Sequence, residues 1–325
     1  MAPFRVVIVA GAAGGVPGNQ APILADEISA AMDGRQPDVD VRIIRGDDPL
    51  PEQIDGLICS VRFPRLADLP EGVGWVQIWG TGVDGLPMSA FDHTRPVSCA
   101  RGAGAVPISE YVLATMLAYE KRIPAIWLSE APADWFKAER GNLGGLHGRT
   151  LAVLGLGSIG SSVARLGLAF GMSVRGLRAS DGPSPVEGVE IMRDPGDLVD
   201  GAHHVAITAS ATPATRHLVG PEVFTRMGPG AHLINIARGS LVDQDALRVA
   251  LDEGNVGWAS LDVTEPEPLP AGHWLYAHPQ VRVSPHLSWS THDGHGPIRQ
   301  RLVANVVRRA TGEPLQGLVD PVAGY

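Results

Sequence analysis

Cysteine is almost missing from this 325-residue chain: there are two, Cys59 and Cys99, and their spacing is not that of a zinc site. The scarcity argues against a disulfide scaffold and against a structural metal, so both thiols read as buried structural groups and no metal is expected. No run of 18 apolar residues occurs, so no membrane-spanning helix is expected. Positive charge is also short. With 26 Lys and Arg against 35 Asp and Glu the formal net charge is −9, which disfavours nucleic acid and anionic membrane surfaces as partners. The opening "MAPFRVVIVA" lacks a signal-peptide core, which makes the cytoplasm the expected compartment. Repeats and low-complexity segments are absent too.

What is present is an alternation. Short apolar runs ("FRVVIVA", "VRIIRG", "DGLICSV", "GWVQIWG", then "RTLAVLGLG", "MSVRGL", "HHVAIT", "AHLINIA", "GWASLDV" and "VRVSPH") are separated by helix-like stretches. Buried strands alternating with helices predict an α/β protein with parallel, doubly wound sheets. After Pro107, apolar residues at helical spacing (Ile108, Val112, Met116, Tyr119, Ile123) predict a long linking helix, and a second helix running to about Thr311 returns the chain. These two helices place one domain at 1–99 plus 290–325 and an inserted one at 100–289.

Two glycine-rich stretches compete for a nucleotide. "AGAAGG" at Ala10–Gly15 lacks the dinucleotide spacing and reads as a plain strand-to-helix turn. "GLGSIG" has it: Gly155, Gly157 and Gly160 follow a strand and open a helix. There Gly155 permits the tight turn, Gly157 the approach of backbone to a pyrophosphate, and Gly160 close helix–strand packing. Ser158 and Ile159 lie at the helix start, whose free N–H groups face an anion.

The motifs "WVQIWGTGVDGL", "GRTLAVLGLGSIG", "TPATRHLV", "LINIARGSLVDQDAL", "ASLDVTEPEPLP" and "VSPHLSWST" cover nearly the whole chain. In this order the chain resembles the D-isomer-specific 2-hydroxyacid dehydrogenase family. The resemblance implies a Rossmann nucleotide-binding domain inserted into a flavodoxin-like catalytic domain, a nicotinamide cofactor, a small 2-keto or 2-hydroxy acid as substrate, and a homodimer. Reducing a keto acid needs a carboxylate clamp, a carbonyl polariser and a proton donor. By resemblance Arg238 is the clamp, with a planar fork that a Lys lacks, His286 the proton donor, and Glu267 its acidic partner. A carboxylate beside an imidazole stabilises the charged ring. Glu265 is the rival, but the family's glutamate lies five residues past the strand-end aspartate, as Glu267 does from Asp262. Thr81 and Gly82, in "GTGVDG", are expected to offer backbone N–H groups to the substrate carboxylate, with a simple turn as the alternative. Asp262, Thr212 and Ala237 are expected near the cofactor, although Ser210 stands where the family usually has Pro. Trp289 is carried as substrate-binding. Trp79 and Arg62 also fall near pocket positions, but Trp is as readily core or interface. His203, His204, His292 and His295 show no metal spacing and read as structural. The aromatic segment with Trp127, Trp135 and Phe136 is expected to cross to a second copy at the dimer interface.

At the end of "MSVRGL", where an Asp or Glu would read the ribose of NAD, stands Arg178, with Ser180 two residues on. An arginine there binds the 2′-phosphate of NADP, so NADP(H) is the expected cofactor and NAD(H) the alternative. The counter-reading has Asp181 reaching back to the ribose. The sequence therefore predicts an NADPH-preferring reductase of small 2-keto acids, glyoxylate and hydroxypyruvate first. Alternatives are a dinucleotide-sensing interaction module with little turnover, or an NAD-dependent dehydrogenase of a bulkier acid. Phosphoglycerate oxidation is less expected without a regulatory extension, and formate oxidation is disfavoured by Glu267.

Overall fold

The computed structural model describes residues 2–322 and 324, except 12–13, 92–93, 132–134 and 136–142. Two compact units divide the chain: Met1–Gly104 with Thr291–Tyr325, and Ala105–Ser290.

In the first unit, β1 (Phe4–Ala10), β2 (Val39–Arg45), β3 (Gly56–Cys59), β4 (Val76–Ile78) and β5 (Val97–Cys99) form a parallel sheet ordered β2-β1-β3-β4-β5. Strands β3 and β4 are buried at every residue, because helices and loops cover both faces and leave no alternation to read. On one face pack α1 (Ala21–Met32) and α8 (Gly296–Ala310), through Leu24, Ile28, Leu302 and Val306 against Trp75. The returning α8 is also held by a buried polar seam. The Trp75 indole donates to Ser98 Oγ (2.9 Å), Ser98 to Gln77 Oε1 (2.7 Å), and Asn305 Nδ2 to that same Oε1 (2.8 Å). The N-terminal glycines serve packing here: a Cβ on Gly14, at φ +83°, would lie 2.3 Å from the Arg62 carbonyl oxygen.

The second unit contains β6 (Thr150–Leu154), β7 (Ser173–Leu177), β8 (Val189–Met192), β9 (His204–Ile207), β10 (Ala231–Asn235), β11 (Val256–Leu261) and β12 (Val281–Val283). All are parallel, in the order β12-β11-β10-β9-β6-β7-β8. Its helices are α2 (Ala105–Lys121), α3 (Ser158–Ala169), α4 (Pro195–Val199), α5 (Pro221–Arg226), α6 (Gln244–Asp252) and α7 (Trp274–Ala277). Helix α2 starts two residues before Pro107, since a first-turn proline forfeits no helical hydrogen bond. From β6 the chain winds outward through β7 and β8, then returns to β6's other side with β9. In sheets of this kind ligands bind outside the strands' carboxyl ends at such a reversal.

His204, read as structural, meets a histidine the sequence did not single out. His204 and His232, both fully buried, lie Nδ1 to Nδ1 at 3.2 Å, with Glu120 Oε1 3.0 Å from His204 Nε2 and Ser260 Oγ 3.0 Å from His232 Nε2. Burial pushes His204 down to about 3, helped by the nearby His203 and Arg149, and pushes His232 down as well. With both rings neutral the chain satisfies itself in one direction: Ser260 donates to His232, His232 to His204, and His204 to Glu120.

Trp127 and Trp135 are 68% and 70% exposed, and Phe136 lies outside the described residues. No helix among the described residues is long and apolar enough to cross a membrane.

The neutral histidines set a pH dependence. Below about 6.5 the unfolded chain takes up protons at both rings and the folded chain does not, so stability is full above that pH and falls as pH drops towards 3. The slope reaches about 1.4 kcal/mol per pH unit for each ring. Denaturant midpoints at pH 7 and pH 5 should differ, the lower at pH 5; a flat profile across that window contradicts the neutral pair.

Candidate active site

Parallel strands bring their carboxyl ends to one edge, and the loops leaving that edge in the second unit carry every candidate expected there. The glycine loop follows β6, Arg178 and Ser180 follow β7, and Thr212 follows β9. Ala237 and Arg238 follow β10, Asp262 and Glu267 follow β11, and His286 and Trp289 follow β12. Thr81 and Gly82 follow β4 in the first unit, half-buried, with Trp79 before them 7% exposed and its ring 5.4 Å from that of His295.

The glycine loop fits a dinucleotide. Gly155, at φ +109°, presses on strand β9's continuation, where a Cβ would stand 2.6 Å from Ala209 Cα. A Cβ on Gly160 would stand 1.9 Å from the Gly155 carbonyl oxygen, so the helix packs against the turn only because it has none. Around Gly157 nothing lies within 4 Å of such a Cβ. Gly157 caps α3 with no side chain on the cap, and Gly157 and Ser158 are exposed while Ile159 packs into the core. The helix start thus offers backbone donors to an anion at an open surface, the arrangement a pyrophosphate needs.

At the end of β7, Arg178 gathers the next loop. Its Nε and Nη2 donate to Ser180 Oγ (2.9 and 2.6 Å) and its Nη1 to the Pro183 carbonyl (2.7 Å). Asp181 is turned instead to Arg193, at 2.9 Å. Arg193 is a cation near this loop that the sequence did not single out, because it follows a short edge strand, β8. Thr212 is the capping residue of a short 3-10 turn, its amide donating to Thr215 Oγ1 at 2.8 Å.

Arg238 is half-buried on a loop fixed by the buried Asn235, whose Nδ2 donates to the Arg238 carbonyl (2.8 Å) while its Oδ1 accepts from the Ala237 amide (3.1 Å). Of the two glutamates, Glu267 lies against His286, with Oε1 2.6 Å from Nδ1. Glu265 pairs with Arg216 at 3.0 Å. The imidazole keeps its other nitrogen, Nε2, for a different partner. His286 sits at φ +52°, a left-handed conformation that costs a side-chain-bearing residue about 1–3 kcal/mol.

Asp262 is 1% exposed. Ser284 Oγ donates to its Oδ1 (2.6 Å), the Leu287 amide to Oδ1 (2.9 Å) and the Ser288 amide to Oδ2 (2.9 Å). A carboxylate has about four acceptor positions, and three of those of Asp262 are taken. Trp289 packs its ring on the α2–α3 core and donates its indole N–H to the His286 carbonyl (2.8 Å). Tyr111 O–H reaches Ser284 Oγ at 2.6 Å. Burial pushes the Tyr111 hydroxyl up, which keeps it protonated. Neither Tyr111 nor Ser284 was a candidate, since no local motif links residues so far apart in sequence.

Gly157→Ala should leave the thermal midpoint unchanged yet weaken NADPH and NADH binding in a fluorescence titration, since its Cβ enters only the space a pyrophosphate takes. Gly160→Ala should instead destabilise the fold by about 1–3 kcal/mol through overpacking. Equal thermal losses in the two variants contradict the assignment.

Residues 113–288 match the family model described as "D-isomer specific 2-hydroxyacid dehydrogenase, NAD binding domain". The chain is 29% identical over 311 residues to glyoxylate/hydroxypyruvate reductase A of Serratia proteamaculans, covering 93% of this chain and 96% of that one. To the reductase A of Yersinia enterocolitica it is 32% identical over 250 residues, covering 76% and 75%. The crystal structure of a D-isomer specific 2-hydroxyacid dehydrogenase from Xanthobacter autotrophicus, in complex with NADPH and MES, aligns over 100% of both chains at a TM-score of 0.76 and 28% identity. The chain belongs to the D-isomer specific 2-hydroxyacid dehydrogenase family, and is an oxidoreductase dependent on a nicotinamide dinucleotide.

Proposed function

We propose that this enzyme is an NADPH-preferring reductase of small 2-keto acids, yielding D-2-hydroxy acids, with glyoxylate and hydroxypyruvate as first candidates. The observation that carries the reading is the 2.6 Å contact between Glu267 and His286, on a strand-end loop of the same edge as Arg238 and the glycine loop. The names of the two bacterial relatives support the substrate class, and the NADPH in the Xanthobacter structure supports the cofactor.

A dinucleotide held at the glycine loop would supply a hydride to C2 of the keto acid. The chain's residues do the rest. Arg238 binds the carboxylate and keto oxygens with two parallel donors. His286 gives the proton from Nε2 to the oxygen that becomes the hydroxyl, while Glu267 holds Nδ1 and offsets the ring's charge before transfer. Thr81 and Gly82 are assigned to carboxylate recognition. Asp262 orders the loop that carries His286, and its remaining acceptor position suits the nicotinamide amide.

NADP preference rests on Arg178. Its guanidinium and the Ser180 hydroxyl lie together at the end of β7, and Asp181, the residue that could have read an unphosphorylated ribose, is engaged by Arg193. We also propose a homodimer through the second unit, with the exposed Trp127, Leu128 and Trp135 as its aromatic and apolar anchors. Light scattering should then give twice the 34.2 kDa chain mass; a monomer refutes it.

One assay at 340 nm, with a panel of 2-keto acids and both cofactors, tests the function. Wild-type kcat/KM should be higher with NADPH than with NADH, and Arg178→Ala should erode that gap by roughly 10- to 150-fold, mainly in the KM for NADPH. His286→Ala should lower kcat by about 10²–10⁴ with cofactor binding unchanged. Equal or better use of NADH removes the cofactor assignment, and near-normal turnover of His286→Ala removes the mechanism.

A further inference from the structure

We infer that Tyr111 and Ser284 are positioning residues for the proton-transfer step, an inference that rests on the role proposed above for His286. Much of what fixes the left-handed His286 runs through Asp262. The His286 amide donates to the backbone carbonyls of Asp262 (2.9 Å) and Ser284 (3.0 Å), and the next two amides, of Leu287 and Ser288, donate to Oδ1 and Oδ2 of Asp262. The carboxylate plane must therefore hold one orientation, because a rotation about its last torsion breaks both amide contacts together.

Two hydroxyls set that orientation. Ser284 Oγ lies 2.6 Å from Asp262 Oδ1, and an ionised carboxylate can only accept, so the serine proton is spent there. The remaining short contact on Ser284 Oγ, 2.6 Å to the Tyr111 hydroxyl, then has Tyr111 as donor. Tyr111 donates to Ser284 and Ser284 to Asp262, and the Leu287 and Ser288 amides donate to the same carboxylate from the other side. Such chains polarise one another and hold geometry better than isolated bonds. Tyr111 is itself placed by α2, where the Thr115 hydroxyl donates to its backbone carbonyl at 2.7 Å. Its hydroxyl stays a donor because burial raises it and the Asp262 charge opposes its ionisation. The linking helix α2 thereby reaches, through two hydroxyl groups, the loop from which His286 acts. Neither hydroxyl touches substrate or cofactor in this scheme; each acts through Asp262 on where the imidazole stands.

Three variants test it: Ser284→Ala, Ser284→Thr and Tyr111→Phe, read by steady-state kinetics with NADPH and a 2-keto acid and by amide hydrogen exchange of residues 286–289. Ser284→Ala should lower kcat about 10-fold, the loss of one charge-assisted hydrogen bond, with the KM for NADPH unchanged and exchange at 286–289 faster. Ser284→Thr restores the hydroxyl and should restore both readouts. Tyr111→Phe should act in the same direction and add little in the Ser284→Ala background, because the two belong to one chain. Wild-type kcat and exchange in Ser284→Ala, or failure of threonine to restore them, overturns the inference. If the wild-type protein reduces no 2-keto acid, the proposed function fails; exchange then decides the positioning role alone, and unchanged protection at 286–289 in both Ser284→Ala and Tyr111→Phe overturns it.

Discussion

A buried carboxylate is stable only when it is hydrogen-bonded, and that requirement at Asp262 shapes the edge on which the chemistry is placed. The side chain is 1% exposed and takes a serine hydroxyl and two consecutive amides. Those amides belong to the residues just after His286, so filling the carboxylate and bending the chain into the left-handed region are one event. The same device recurs on neighbouring strands. Asn235, 1% exposed at the end of β10, clamps the Arg238 loop from both sides. After β9, Thr208 donates to the Gly155 carbonyl at 2.6 Å and holds the glycine turn. Three strand-end polar side chains thus fix three loops, and each loop carries a group assigned to cofactor, carboxylate or proton.

Topology explains why these loops meet. A parallel sheet delivers all its carboxyl ends to one edge, and the strand order reverses between β6 and β9, the place at which ligands bind in sheets of this kind. The amino ends take a different chemistry: there His204 and His232 carry a closed polar chain from Ser260 to Glu120. In the first unit the seam from Trp75 through Ser98 and Gln77 to Asn305 joins β4 and β5 to α8, 228 residues away from Gln77 at Asn305. Buried polar chains therefore hold the segments that apolar packing alone leaves unspecific.

Ten strands were legible as apolar runs, as was the glycine fingerprint in its strand–turn–helix setting. Two strands were not: in β5 Ser98 stands between Val97 and Cys99, and in β8 Glu190 breaks the apolar run, so neither shows as a continuous apolar stretch. Helix α2 was visible from its spacing but not its first turn, where Pro107 is tolerated rather than initiating. At the site, motif register favoured Glu267 over Glu265; Glu267 lies against His286 and Glu265 against Arg216. What the sequence could not display is contact between distant residues. Tyr111 and Ser284 are 173 positions apart, and each alone is an ordinary helix or strand-end residue. Trp289 was read as a pocket residue; its indole N–H serves the His286 carbonyl, a contact that needs the loop's conformation to be known.

The central claim is a hydride from NADPH to C2 of a 2-keto acid, with the proton supplied by a histidine held on this edge. Reduction of hydroxypyruvate with NADPH deuterated at C4 on the transferred face, followed by chiral analysis and mass spectrometry of the glycerate, tests it most directly. The account predicts D-glycerate carrying one deuterium at C2. L-glycerate, or D-glycerate without the label, would contradict it.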